Sequence, residues 1–288
     1  MSSSRPRGRD YLGEMLASRW FAPPVALWRA MEVSVAAEES YRRPLMDLGC
    51  GDGVIADALF GPAGVDVGVD PCLVQLRGAA RSGVYRWVQR ADGRRLPYSS
   101  STFATVFSNS VLEHISDVAT VVREVGRVLQ SPDPAERRPG GCFVFTVPSD
   151  AFPRFLHFYQ ARLEAGDRAG AERYAAEVDA RLAHHHYRSP DEWADLLKEA
   201  GMALVRARYY VPEEVEHLWD RMNARFGIGR RSLWGLLVSP RLRGLGYQRL
   251  LRRFVVSLLG RAWRPYYESD VSPGQKGGGL LLVGRKVE

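Results

Sequence analysis

Leu45-Met46-Asp47-Leu48-Gly49-Cys50-Gly51-Asp52-Gly53 is a short apolar run that ends in alternating glycines, and Val54 to Phe60 follows it with helix-like content. Without a Cβ, the chain at Gly49, Gly51 and Gly53 can turn tightly and come close to a ligand. Val65-Asp66-Val67-Gly68-Val69 then reads as a second strand, so the order is strand, turn, helix, strand, the pattern of a βαβ unit. The alternation continues through Tyr85 to Gln89, Thr102 to Ser108, the helix-like Val118 to Leu129 and the strand Cys142 to Val147. Strands alternating with helices predict a doubly wound α/β fold, a mostly parallel sheet covered on both faces.

Outside this stretch the texture is helical. Residues 1–43 read as a helical cap in two pieces separated by Ala22-Pro23-Pro24, and 44–150 as the core. Residues 151–188 read as a helical insertion. Residues 189–211 return to the core with a helix, opened by Ser189-Pro190-Asp191-Glu192 and stopped by Gly201, and a strand. Ala203 to Val211 and Leu280 to Val287 read as the last two strands. The stretch between them, 212–278, is far longer than a hairpin needs, so it is expected to be a second helical insertion, with 279–288 closing the core.

The chain has 288 residues, 45% hydrophobic and 25% charged, an ordinary globular composition long enough for a sizeable core. Arg5, Arg7 and Arg9 precede no apolar h-region, because Asp10, Glu14 and Arg19 interrupt it; a secretory signal is not expected, nor does any apolar stretch span a bilayer. Cys50, Cys72 and Cys142 show neither disulfide nor Cys/His ligand spacing, which fits a reducing cytoplasm.

Charge is distributed unevenly. Of the net +7, the stretch Arg221 to Arg264 alone carries eleven arginines with no lysine or acid, leaving −4 for the remainder. Within Tyr247 to Arg264, Leu250, Leu251, Phe254, Val255, Leu258 and Ala262 fall along one helical face, with Arg261 the one charge among them. Arg249, Arg252, Arg253, Gly260 and Arg264 fall opposite. Such a helix suits peripheral contact with an anionic membrane or a lid over an acidic or lipid-linked acceptor; a lid that packs its apolar face on the core accounts for it equally. Nucleic acid is not expected, for no RNA-binding module or aromatic stacking pattern is present. The oligomeric state is not legible.

Two acids flank the glycine loop. Asp70, at the end of the second strand in Val69-Asp70-Pro71, can accept hydrogen bonds from ribose hydroxyls of any nucleoside cofactor. Asp47 discriminates: an anion here repels a pyrophosphate and attracts the ammonium of a methionine moiety. With these residues the chain resembles the class I S-adenosylmethionine (SAM)-dependent methyltransferases, specifically the small-molecule methyltransferase domain family. LMDLGCGDG resembles that family's first motif, VDPC its second, and ADGRRLPYSSSTFATVFSNSVLEHISD its third and fourth. GRVLQ and PGGCFVFTVP resemble the following helix and fifth strand, and HHHYRSPDEWADLLKEAGM the last helix with its glycine stop. Ala104 departs from the family's usual aspartate, and 132–138 lengthen a turn. The resemblance implies a seven-stranded Rossmann-like sheet with an antiparallel last strand. It also implies SAM as cofactor, held by Asp47, Gly49, Cys50, Gly51, Gly53, Asp70 and Pro71, with Asp92 and Gly93 at the adenine and Asn109 near the sulfonium.

Methyl transfer is an in-line displacement in which positioning can suffice, while a histidine base helps where the acceptor is a hydroxyl or a protonated amine. His114 lies just past the fourth strand, on the carboxyl edge of the sheet, as a base or as a brace for the following helix. His184, His185 and His186 form a cluster whose neighbours cannot all point one way; His185 and His186 are candidates for acceptor contact, against a plain solvated turn. In the related quinone O-methyltransferases a Glu-His pair like Glu113-His114 helps hold a metal, but their additional upstream acid corresponds here to Ser110, and no metal is expected. The function expected is methyl transfer from SAM to a small-molecule or lipid-linked acceptor, at oxygen, the acceptor being acidic if the arginines face it. The alternatives are a SAM-binding protein that transfers nothing and, more remotely, a nicotinamide dehydrogenase.

Overall fold

The computed structural model describes residues 9–226, 233–239 and 246–287. Its strands are β1 (Leu45–Leu48), β2 (Val65–Asp70), β3 (Tyr85–Arg90), β4 (Thr105–Asn109), β5 (Cys142–Pro148), β6 (Met202–Tyr210) and β7 (Gly279–Lys286). They form one sheet in the order β3-β2-β1-β4-β5-β7-β6. Pairing from β3 through β5 is parallel, and β7 runs antiparallel to β5, as expected for this doubly wound class. Chain order reverses between β1 and β4, so the loops leaving these two strands diverge at the carboxyl edge, where open α/β sheets bind ligands.

The helices are α1 (Tyr11–Ser18), α2 (Pro23–Ala36), α3 (Val54–Phe60), α4 (Leu73–Ser82), α5 (Val118–Val128), α6 (His157–Glu164), α7 (Arg168–Leu182), α8 (Pro190–Glu199), α9 (Glu213–Phe226), α10 (Leu233–Leu237), α11 (Gln248–Ala262) and α12 (Arg264–Glu268). Local chemistry sets their ends. Asp117 caps α5 by accepting from the Thr120 amide, and Val118, Val121, Val122, Val125 and Val128 then form a buried stripe at helical spacing, each worth about 1.5–3 kcal/mol of burial. Ser189 and Glu192 close a reciprocal capping box at the start of α8. β5 is buried along nearly its whole length, with Phe143, Phe145 and Val147 in the same core cluster as the α5 valines, whereas the edge strand β3 leaves Trp87 exposed.

The chain divides into two compact units, one of residues 36–150, 182–209 and 279–288, the other of 1–35, 151–181 and 210–278. The first holds the sheet with α3, α4, α5 and α8. The second is helical. In it Trp28, Phe152 and Trp219 meet at centroid distances of 5.5–5.7 Å, and Glu216 and Asp220 of α9 are fully buried. α11 packs on α1. The apolar residues of α11 split between two sides: Val255 is buried and Leu251 and Leu259 half-buried, while Leu250, Phe254 and Leu258 are 73%, 61% and 51% exposed. Arg249, Arg252, Arg253 and Arg261 are exposed around that outer stripe. Arg264 instead pairs with Asp10 at 2.9 Å, and Arg5, Arg7, Arg230, Arg231, Arg241 and Arg243 lie outside the described residues. Among the described residues no helix is long and apolar enough to cross a membrane.

Candidate functional site

The loop between β1 and α3 uses its glycines as the sequence suggests. Gly49, Gly51 and Gly53 all take positive φ (76°, 53° and 84°), which L-residues rarely adopt. The amides of Gly49 and Cys50 both donate to the Val69 carbonyl, which ties the loop to the end of β2. A Cβ on Gly49 would stand 2.3 Å from Cγ2 of Val111, so only glycine lets this loop and the loop after β4 pack together. At Gly51, by contrast, nothing lies within 4 Å of where a Cβ would be.

Asp47 is buried at the end of β1, where the Tyr85 hydroxyl donates to its Oδ2 at 2.6 Å. Tyr85 reaches it across Gly68, whose missing side chain makes room: a Cβ there would meet the tyrosine ring at 2.8 Å. Burial pushes the Asp47 carboxyl up to about 7, against the lowering effect of the tyrosine and with a smaller push from Asp70. The same burial, together with Asp47, raises the Cys50 thiol, so it stays protonated. Asp70 accepts from the Gly51 amide at 3.0 Å and from the Cys72 amide at 2.8 Å, an arrangement that holds loop and carboxylate in register. Pro71 is exposed beside it.

Asp92 is exposed and grips Arg94, whose Nη2 lies 2.6 Å from its Oδ2; that pairing, with the Arg94 amide, holds its carboxyl below the usual range. Gly93 abuts the end of β1, since a Cβ on it would lie 3.3 Å from Leu48 Cδ1. Asn109 ends β4 half-buried, and Ser110 after it turns the chain at φ 49°. The short 3-10 turn Leu112–His114 follows directly.

That turn is stitched to the segment after α7. The His185 amide donates to the Glu113 carbonyl at 2.8 Å, His114 Nδ1 lies 3.1 Å from the Ala183 carbonyl, and His186 Nε2 lies 3.3 Å from the Ile115 carbonyl. Alternation along this extended segment puts His184 and His186 half-buried and leaves the His185 side chain exposed. Burial, then Arg188, lowers the His186 imidazole below its usual value. His114 and His184 come together with ring centroids 5.1 Å apart. One donor atom from each of Glu113, His114 and His184 lies within 4.8 Å of the others. Sequence reading singled out His114 but put His185 and His186 ahead of His184. The alternation that the sequence itself implies pairs the first and third histidines, which the choice of His185 and His186 does not follow.

Residues 46–132 match a family model described as a methyltransferase domain. Over 209 residues the chain is 26% identical to a malonyl-[acyl-carrier protein] O-methyltransferase of Legionella pneumophila, covering 66% of this chain and 71% of that one. Over 147 residues it is 27% identical to a ubiquinone biosynthesis O-methyltransferase of Pectobacterium atrosepticum, covering 46% of this chain and 58%, less than two thirds, of the relative. A SAM-dependent methyltransferase structure from Thermotoga maritima superimposes with a TM-score of 0.55 at 13% identity, over 96% of this chain and 99% of that one, a likeness of fold. With the βαβ loop, the flanking acids and the sheet order in agreement, this is a SAM-dependent methyltransferase whose methyltransferase domain is matched over residues 46–132, with SAM its cofactor.

Proposed function

We propose that this enzyme methylates an oxygen atom of a small-molecule or lipid-linked acceptor, with the cofactor lying across the loops after β1, β2 and β4. The observation that carries the cofactor placement is Asp47, a buried carboxyl with a raised pKa beside three positive-φ glycines. An ammonium arriving there supplies the counter-charge that burial otherwise denies it. Asp70 then takes the ribose hydroxyls, Asp92 with Gly93 takes the adenine, and Gly49, Cys50, Gly51, Gly53, Pro71 and Asn109 shape the cleft.

Oxygen is supported by the two relatives named above, both O-methyltransferases by name. His114 is the candidate base: its Nδ1 faces a carbonyl, which can only accept, so in the neutral ring the proton sits on Nδ1 and Nε2 keeps its lone pair. His186 makes the alternative contact, held neutral by burial, while the exposed His185 ring leaves that residue a backbone role. An acidic or lipid-linked acceptor is supported by the outer face of α11, where an exposed apolar stripe is rimmed by arginines, the arrangement that binds anionic bilayers peripherally.

The test supplies radiolabelled SAM with panels of carboxylic acids, phenols, amines and thiols, free and as lipid or carrier conjugates. S-adenosylhomocysteine release with label in an ester or ether is expected; label only in amines or thiols would refute the oxygen assignment.

A further inference from the structure

We infer, resting on the reading that the segment after α7 faces the acceptor, that Arg188 receives one carboxylate of that acceptor at the carboxyl edge of the sheet and so selects for it. Strand pairing fixes the position. Asn109 at the end of β4 pairs with Thr146 of β5, and Arg188 forms a parallel bridge with Ser149, just past the end of β5. Arg188 therefore stands one strand away from Asn109, and one residue before the Ser189 cap of α8. Alternation along the segment sends its side chain the same way as that of His186, and both reach Trp193. The guanidinium carbon lies 5.9 Å from the centre of the Trp193 ring, and the His186 ring lies 6.0 Å from it. Trp193 is itself 1% exposed and packed on Phe145 of β5, so the platform under the guanidinium is anchored in the core.

Two donors of this patch lack acceptors. Arg188 Nε and Trp193 Nε1 are both buried, and among the described residues neither has a hydrogen-bond partner. Leaving a buried donor unpaired is costly, more so on a charged group. Nor does any acid of the described residues form an ion pair with Arg188. Glu192 is turned to the amide and hydroxyl of Ser189, at 2.8 and 3.0 Å, and Asp150 accepts from the Tyr209 hydroxyl at 2.8 Å. Arg188 as a whole is half-buried, so a ligand can reach the fork. The planar guanidinium matches a planar carboxylate through two parallel hydrogen bonds, which a lysine in its place could not form. A phosphate dianion fits less well. Burial and then Arg188 itself lower the His186 imidazole, which leaves one full cation to meet the ligand. Arg188 and Asp150 both act on Glu192, so the two acids lie close enough to oppose a second negative charge. The site takes nothing from His114, whose Nε2 remains the candidate base.

Binding is read without turnover, by calorimetry on the full chain saturated with S-adenosylhomocysteine, so that it stands or falls separately from which atom is methylated. The probes are octanoate and benzoate, each against its own amide, with octyl phosphate as the dianion. Each carboxylate should bind at least about ten-fold more tightly than its amide, and octanoate more tightly than octyl phosphate. Arg188→Gln should make acid and amide alike, while Arg188→Lys, a charge without the fork, should keep part of the preference. His185→Ala, whose exposed ring lies on the other side of the segment, and Arg249→Gln on α11 should bind octanoate as the parent does. Unchanged SAM affinity reports that each variant is folded. Arg188→Met keeps the apolar stem on Trp193 and replaces Arg188→Gln should that variant unfold. A carboxylate that binds no better than its amide, a preference that survives loss of the guanidinium in a chain that still binds SAM, or octyl phosphate held more tightly than octanoate overturns the assignment.

Discussion

Asp47→Asn should stabilise the ligand-free enzyme and weaken its grip on SAM, and the first effect should grow with pH. Burial moves this carboxyl from 3.8 to about 7 in the folded chain. Below pH 3.8 both folded and unfolded chains keep the proton, so ionisation costs the fold nothing. As pH rises past that point the unfolded chain releases its proton while the folded chain holds it. Stability then falls by about 1.4 kcal/mol per pH unit until about pH 7, where the folded carboxyl also ionises, and stays level above it. The full fall is about 4 kcal/mol, an upper figure. The amide of the variant cannot ionise but still accepts from the Tyr85 hydroxyl, so its own packing changes add only a pH-independent offset. Urea unfolding of both chains at pH 5 and pH 8 should show the advantage of the variant growing by about 2–3 kcal/mol. Calorimetry at pH 8 should show SAM bound at least about ten-fold more weakly, since the ammonium has lost its anion. A stability difference that is the same at both pH values, together with unchanged SAM affinity, would refute the electrostatic reasoning on which the cofactor placement stands.

Gly49→Ala should lower stability by about 2–4 kcal/mol, combining a left-handed backbone with a Cβ driven into Val111, and thermal unfolding reads it directly. Glu216, fully buried on α9 with Asp220 and Glu213 nearby, has its carboxyl raised well above the usual range by burial first and those acids second. The folded chain therefore keeps this proton after the unfolded chain has lost it, and Glu216→Gln should be more stabilising at pH 8 than at pH 5 in the same urea assay; a reversed trend would mean that the carboxyl is charged in the fold. Changing Leu250, Phe254 and Leu258 together to Ser should abolish co-sedimentation with anionic vesicles while leaving stability nearly intact, because these side chains are already exposed. Equal sedimentation of variant and parent would remove the membrane role of α11.

The sheet was legible because its signals are local. The apolar run before Gly49, the valine stripe of α5 and the Ser189 capping box each declare their element within a few residues, and alternation of such elements admits few topologies. Even the antiparallel last strand came from the family resemblance of those motifs in series. What the one-dimensional pattern could not carry were contacts between distant segments. α11 is an example: helical spacing groups its apolar residues in one face, but packing on α1 takes only the side with Val255 and leaves Leu250, Phe254 and Leu258 outside.

The sequence by itself determined the α/β class, the glycine loop, the acids at the ends of β1 and β2 and the SAM cofactor, because backbone conformation and strand ends follow from neighbouring residues. Only the tertiary structure decided that Tyr85 reaches Asp47 across Gly68, and that His184 rather than His185 joins Glu113 and His114. Those meetings depend on how far one segment is brought over another by the core beneath it, and no short stretch of chain contains that distance.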